Sequence, residues 1–269
     1  MEKVRLNNGE LIDIVGSGTN TFGKEDHKYM NPINMDTTEY IMAIENGYRH
    51  FDTAISYRNE EVLAKAISES AYLRETFFIT SKIPGSSPYI DSAEKVRESV
   101  QMSLDALNTD YIDMYLIHHS WDNMAQMLKV WDVLETFVDK KIIKSIGVSN
   151  FDIDTLKTLH GYARIKPAVN QIESHPGFWN HQLIEACNDL GVKAEAWGPL
   201  SFDDIEAKSI LSEIGQKYQK TWAQVVLRYQ IQRGVIVIPK SHDNLRQKQN
   251  IDIFDFELSI EEVQKISGL

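Results

Sequence analysis

Four side chains in this sequence could together hand a proton to a reacting oxygen: Asp52, Tyr57, Lys82 and His118. Asp52 closes a short run, Arg49-His50-Phe51-Asp52, and Tyr57 follows five residues later, just ahead of a helical pattern. Alone, an aspartate at a strand end reads as a cap and a tyrosine beside it as packing. A carboxylate there is costly to bury unless a cation answers it, and Lys82, then His118, supply the answer. A cation beside a phenol favours the phenolate, which would bring Tyr57 down from about 10 toward neutral pH. So tuned, Tyr57 is a proton donor for a carbonyl becoming an alkoxide. His118 would hydrogen-bond and orient the same oxygen, and Asp52 would keep Lys82 charged and in place. None of these groups carries a hydride, and for a carbonyl reduction the natural donor is a nicotinamide. Ser149, Asn150 and Gln171 suit its carboxamide, and Trp197 offers a face for its ring. Lys240, Ser241 and Arg246 bring the cations and hydroxyl that a phosphate monoester needs.

These residues need elements to hold them. Leu6 to Leu11 reads as a hairpin with Asn8-Gly9 at its turn, followed by a short strand, Ile14 to Thr19. Asp36 with Glu39 forms a capping box for a helix that Gly47 ends. Strand and helix then alternate: a strand into Asp52, helix 60–70, strand 76–81 ending at Lys82, helix 92–106 and strand 112–118. Helix 124–138 follows, with Met124, Met127, Leu128, Trp131, Leu134 and Val138 at helical spacing, the methionines as core. Strand 144–148 comes next, then a helix from Ile153, strand 168–172, helix 182–190 and strand 192–197. Helices 204–218 and 222–233, strand 235–238, and helices 242–249 and 259–267 complete the series. About eight short strands, apolar on both sides and alternating with helices, suit a parallel sheet covered on both faces. No linker interrupts them. The expectation is one (β/α)8 TIM barrel over residues 1–269, its bottom capped by the N-terminal hairpin. Thr19, Asp52, Lys82, His118, Ser149, Asn150, Gln171, Trp197 and Lys240 then fall at strand carboxyl ends, the face where such barrels keep their chemistry.

Composition narrows the partners. The net charge of −11 over 269 residues argues against nucleic acid and anionic membranes, and makes the Lys240–Arg246 cluster conspicuous. No apolar run is long enough to span a membrane, the N-terminus has no signal core, and the single Cys187 fits a reducing compartment and a core position. A cytoplasmic protein, monomeric and without a metal, is expected. Gly16-Ser17-Gly18 lacks the third glycine and helix of a dinucleotide-fold fingerprint. His118 and His119, adjacent on a strand, should point to opposite faces and so share no metal ion. His175, before Pro176, reads as structural.

The tetrad Asp52, Tyr57, Lys82 and His118 resembles that of the aldo-keto reductases, and the surrounding motifs agree. They are Phe51-Asp52-Thr53-Ala54, Ile117-His118, Ile146 to Phe151, Asn170-Gln171-Ile172-Glu173, Trp197-Gly198-Pro199-Leu200 and Ile238-Pro239-Lys240-Ser241. The resemblance covers nearly the whole chain and looks closest to bacterial diketogluconate-reductase-like members. It implies NADPH (NADP+) as cofactor, with Tyr57 as acid, Lys82 lowering its pKa, Asp52 supporting Lys82 and His118 orienting substrate. It implies a cofactor site of Gly18, Thr19, Ser149, Asn150, Gln171, Trp197, Gly198, Pro199, Leu200, Lys240, Ser241 and Arg246, with Gln249 and Asn250 near the adenine. Departures from the family pattern sit at the substrate rim, expected at Asn20, Phe22, His119 and Trp121; the chain also stops at Leu269, without the C-terminal loop that closes the pocket in many relatives. The expected activity is reduction of aldehydes, ketones and small dicarbonyls, keto acids or keto esters. A non-enzymatic NADP(H)-binding or redox-sensing protein is the alternative.

Overall fold

The hydrophobic residues of the strands divide by parity. Phe51, Ile79, Tyr115, Ile117, Ile146, Val148, Ile172, Ala194 and Ala196 join the helices in the main core. Their strand neighbours Phe78, Met114, Leu116, Val169 and Ile236 pack in a separate cluster with Leu6 and Ile12 of the N-terminal hairpin. Alternate side chains on a strand face opposite ways, so the first set lies outside a closed sheet and the second inside it. The computed structural model, which covers residues 1–269, shows that sheet.

The hairpin is β1 (Lys3–Arg5) and β2 (Leu11–Asp13), antiparallel. The barrel strands are β3 (Ser17–Gly18), β4 (His50–Asp52), β5 (Phe78–Ile83), β6 (Ile112–Ile117), β7 (Ile143–Ser149), β8 (Val169–Glu173), β9 (Lys193–Trp197) and β10 (Ile236–Val237). They are parallel and neighbours in chain order. A parallel bridge between Val15 and Val237, with Gly16 N–H donating to the Val237 carbonyl at 2.8 Å, joins the two edges. Between the strands run α1 (Thr38–Glu45), α2 (Glu60–Glu69), α3 (Ala93–Ala106), α4 (Met124–Asp139), α5 (Ile153–Tyr162), α6 (His181–Asp189), α7 (Ile205–Tyr218) and α8 (Trp222–Gln232), followed by α9 (Asn244–Ile251) and α10 (Ile260–Ser267). This is the (β/α)8 barrel with a hairpin across its bottom. Asn8 pins the hairpin there through Nδ2 to Ser145 Oγ at 2.8 Å.

Inside the barrel the apolar layer stops about halfway up. Above it the inward positions are polar: Thr80 and Lys82 on β5, Ser149 on β7, Gln171 on β8 and Glu195 on β9, all buried. The strands are therefore apolar on the helix side along their length, and on the inner side mainly in their lower halves. β5 also runs one residue past Lys82, pairing Ile83 with Ile117, so Lys82 points inward from within the strand.

Two local expectations change. Glu39 forms no capping box, because its carboxyl is turned to His27 and His242, and the Asp36 amide donates to Asn34 instead. β6 ends at Ile117, so His118 and His119 lie beyond the pleat, and their rings stack in parallel at 4.6 Å instead of opposing each other.

Gly147, midway along β7, shows how closely the interior is filled. A Cβ there would stand 2.7 Å from the Val169 carbonyl oxygen and 2.8 Å from Leu116 Cδ2. Gly147→Ala should therefore cost about 1–3 kcal/mol, the usual range for overpacking, read as a lower urea midpoint at unchanged slope. An unshifted midpoint would show that the β7–β8 contact yields freely.

Candidate active site

The ring of strand ends gathers the expected tetrad. Lys82 Nζ donates to Asp52 Oδ1 at 2.6 Å and to the Thr53 carbonyl at 2.9 Å, and lies 3.4 Å from Tyr57 Oη. The ammonium also sits 4.7 Å from the centre of the Tyr57 ring. Tyr57 stands in a short 3-10 turn, Ile55–Tyr57, between β4 and α2. His118 packs edge-on to it, ring centres 5.5 Å apart, with Nδ1 3.1 Å from Ser56 Oγ. His118 Nε2 has no partner within the chain.

Burial decides the charge states. It pushes the Tyr57 phenol up to about 12, because desolvation outweighs the lowering by Lys82. The expectation that Lys82 brings this phenol toward neutral pH is thereby corrected: the cation limits the rise and does not reverse it. Burial, then Lys82 and His119, hold His118 down to about 2, so its imidazole is neutral. The Lys82 ammonium stays above the ordinary amine range: burial pulls it down, but Asp52, Tyr57 and Glu195 outweigh that. The proton available to a reacting oxygen at neutral pH is therefore on Tyr57.

Glu195 was not anticipated. Gln171 Nε2 donates to Asp52 Oδ2 at 2.7 Å and to Glu195 Oε2 at 2.6 Å, joining two buried carboxyls. Burial first, then the Asp52 charge, push Glu195 up to about 8. Its Oε1 has no partner and lies 3.5 Å from His50 Nε2. Parity was the available signal, since Glu195 shares the inward phase with its β8 partner Gln171. Ser56, beside Tyr57, was missed as well.

A cavity of about 420 Å³ opens above the tetrad, lined by Tyr57, His118, Gly18, Thr19, Asn20, His119, Ser149, Asn150, Gln171, Trp197, Gly198, Pro199, Leu200 and Lys240. A second, of about 680 Å³, shares Leu200 and Lys240 with it and continues past Ser241, Arg246, Gln249 and Asn250. Every expected cofactor residue therefore lines one of these two adjoining cavities. At Gly18 a Cβ would meet the Ile238 carbonyl oxygen at 2.9 Å, so the glycine lets β3 lie close to the segment after β10. Arg246 is exposed and forms no side-chain bond, while Lys240 Nζ donates to Asn20 Oδ1 and Thr21 Oγ1, each at 2.9 Å. Asn150 is already engaged: its Nδ2 reaches the His118 carbonyl at 3.1 Å, and its Oδ1 accepts from Trp197 Nε1 at 2.8 Å.

One rim assignment is corrected. Phe22 is fully buried, packed edge-on against Tyr40 at 5.1 Å, because its backbone turns into the core after Thr19. Trp121 is half-buried, covers Gly85 and donates Nε1 to Gln126. Asn20 and His119 do line the cavity. Tyr29 stands nearby, its ring 6.0 Å from that of Tyr57.

Comparison with known proteins follows the same outline. The model of the "Aldo/keto reductase family" matches residues 15–269. The glyoxal reductase of Bacillus subtilis (strain 168) is 39% identical, over all of this chain and 92% of its own length. The 2,5-diketo-D-gluconic acid reductase B of Corynebacterium sp. (strain SHS752001) is 37% identical, over 99% of this chain and 92% of its own. Among solved structures, the Bombyx mori aldo-keto reductase in complex with NADP superposes with a TM-score of 0.88 at 34% identity, covering 99% of this chain and 92% of that one.

Glu195 makes a testable contribution to stability. Its proton is bound more tightly in the folded state, whose pKa is about 8 against an ordinary 4.5. The native state therefore holds the extra proton across that window, and stability falls as pH rises through it, with a slope approaching about 1.4 kcal/mol per pH unit. Glu195→Gln should remove this fall. The buried neutral histidines His50 and His118 act in the opposite sense at lower pH, but both proteins carry them, so the difference isolates Glu195. Urea stabilities of the two proteins from about pH 5 to 8 provide the check; a constant difference would mean that Glu195 holds no such proton.

Proposed function

The chain belongs to the aldo/keto reductase family, and we propose that it reduces small aldehydes, ketones and dicarbonyls, including keto acids and esters, with Tyr57 as the general acid. It is an NADP-dependent oxidoreductase. The observation that carries the proposal is a phenol 3.4 Å from an ammonium that is itself 2.6 Å from a buried carboxylate, at the floor of a cavity.

The residues fit the cofactor. Both amide hydrogens of Gln171 are committed to Asp52 and Glu195, which leaves its Oε1 as an acceptor for a carboxamide N–H. Ser149 and Asn150 complete that contact, Asn150 by exchanging one of its present bonds. Trp197 offers its indole face, Gly198, Pro199 and Leu200 the wall beside it. Lys240, Ser241 and Arg246 hold a 2′-phosphate, with Gln249 and Asn250 toward the adenine. Bound NADPH supplies the hydride.

The chain's own groups manage the proton and the charge. Tyr57 Oη gives its proton to the carbonyl oxygen as that oxygen becomes an alkoxide. Lys82 then stabilises the phenolate left behind, and Asp52 keeps Lys82 in position. In the tautomer that accepts from Ser56 Oγ–H at Nδ1, the neutral His118 carries its hydrogen on Nε2, free to bind the substrate oxygen and aim it.

The size and lining of the cavity support the substrate class. One space of about 420 Å³ has to take both a nicotinamide and the carbonyl compound, so the latter is small. Asn20 and His119 on its wall suit a second oxygen. A glyoxal reductase and a diketogluconic acid reductase among the relatives favour dicarbonyls. We further read residues 1–269 as one domain, because the sheet keeps unbroken neighbour order, and the protein as cytoplasmic, because its one cysteine is unpaired. No helix is long and apolar enough to cross a membrane.

Tyr57→Phe should lower kcat by about 10²-fold or more, the scale of lost acid–base help, while NADPH still binds. Near-normal turnover would remove Tyr57 from the role. Arg246→Ala should weaken NADPH about ten- to a hundredfold, the scale of a charged hydrogen bond, and barely change NADH. Equal losses for both cofactors would show that Arg246 does not read the phosphate.

A further inference from the structure

Three side chains that the reduction does not use converge from separate segments. Glu39 comes from the first turn of α1, His27 from the 3-10 turn Glu25–His27, and His242 from the turn between Ser241 and α9. Glu39 Oε1 lies 3.1 Å from His27 Nδ1 and 3.0 Å from His242 Nδ1. The ligating atoms of all three lie within 4.8 Å of one another.

Hydrogen bonding alone leaves this cluster incomplete. The Glu39 side chain is only 5% exposed, and no lysine or arginine comes within ion-pair distance of it. A buried carboxylate is costly unless the lone pairs of both its oxygens are met. Oε1 serves both histidines, whereas the buried Oε2 has no partner at all. The backbone supports the convergence at a cost: Asp26 and His27 sit at φ 52° and 54°, in the left-handed region that non-glycine residues avoid. His242 is held from behind, its Nε2 2.9 Å from Thr21 Oγ1. In the tautomer whose Nε2–H donates to Thr21 Oγ1, Nδ1 of His242 carries the lone pair that a metal ion needs.

We propose that His27, Glu39 and His242 form a binding site for one divalent cation of zinc's class, such as Zn2+ or Co2+, with the remaining position open to water. Two imidazoles and a carboxylate are a donor set such ions accept. The ion places positive charge against the buried Glu39 carboxylate and takes up Oε2, which has no partner. It would clamp the loop before α1 to the turn that follows Lys240 and Ser241.

The test uses tag-free, chelator-stripped protein titrated with Co2+. One equivalent should bind at micromolar affinity or tighter, with visible absorption from histidine-ligated cobalt and a raised thermal midpoint. His27→Ala changes an exposed residue and should leave the fold intact while weakening binding at least about tenfold and cancelling the thermal gain. His242→Gln should do the same from the other side. Millimolar or weaker binding by the parent protein would overturn the proposal. So would unchanged binding when both histidines are replaced, since the ion would then be held by other groups.

Discussion

The upper half of this barrel depends on one buried ion pair. Lys82 and Asp52 lie within the sheet, essentially without solvent, at 2.6 Å. Taking two charges out of water is expensive, and such a pair holds only when the remaining lone pairs and protons are also met. Here they are met in detail. Lys82 has the Thr53 carbonyl and the Tyr57 hydroxyl as further partners, and Asp52 has the amide of Gln171. Each partner comes from a different strand or turn, so the pair sets where β4, β5 and β8 must stand relative to one another. Removing the lysine would leave an unanswered buried carboxylate, a defect that typically costs 3–5 kcal/mol.

The same burial sorts the protons. Desolvation keeps Tyr57 protonated and His118 neutral. A phenol with a high pKa beside a permanent cation is a suitable resting acid: it holds its proton until an alkoxide forms, and the cation then stabilises the phenolate. Glu195 fits this balance. A second carboxylate so close to Asp52 would leave the cluster net negative, and like charges at that distance drive one of the two to keep its proton.

Much of this was legible in the chain because parallel strands put their chemistry at one end. Asp52, Lys82, His118, Ser149, Gln171 and Trp197 could be placed at that end from strand order alone. The cation cluster Lys240–Arg246 stood out against an acidic chain. What the sequence hid depended on packing. Phe22 was placed on the rim by proximity to Thr19, but the direction of its side chain is set by the turn of the loop into the core. His118 and His119 were assigned opposite faces by a pleat that ends one residue too early. Glu195 gives its signal only through strand parity, its inward phase matching that of Gln171. The phenol shift had the wrong sign because Lys82 was visible in the sequence and the depth of burial was not.

The account turns on Tyr57 resting as a protonated acid, so its ionisation is the most direct quantity to measure. Tyrosinate absorbance of the parent protein and of Tyr57→Phe can be compared by ultraviolet difference titration without cofactor or substrate. With the phenol at about 12, the two proteins should ionise the same number of tyrosines up to about pH 10.5, above the ordinary phenol value of about 10. If the parent instead gains one extra tyrosinate between about pH 7 and 9, Lys82 outweighs burial and the charge balance described for this site is wrong.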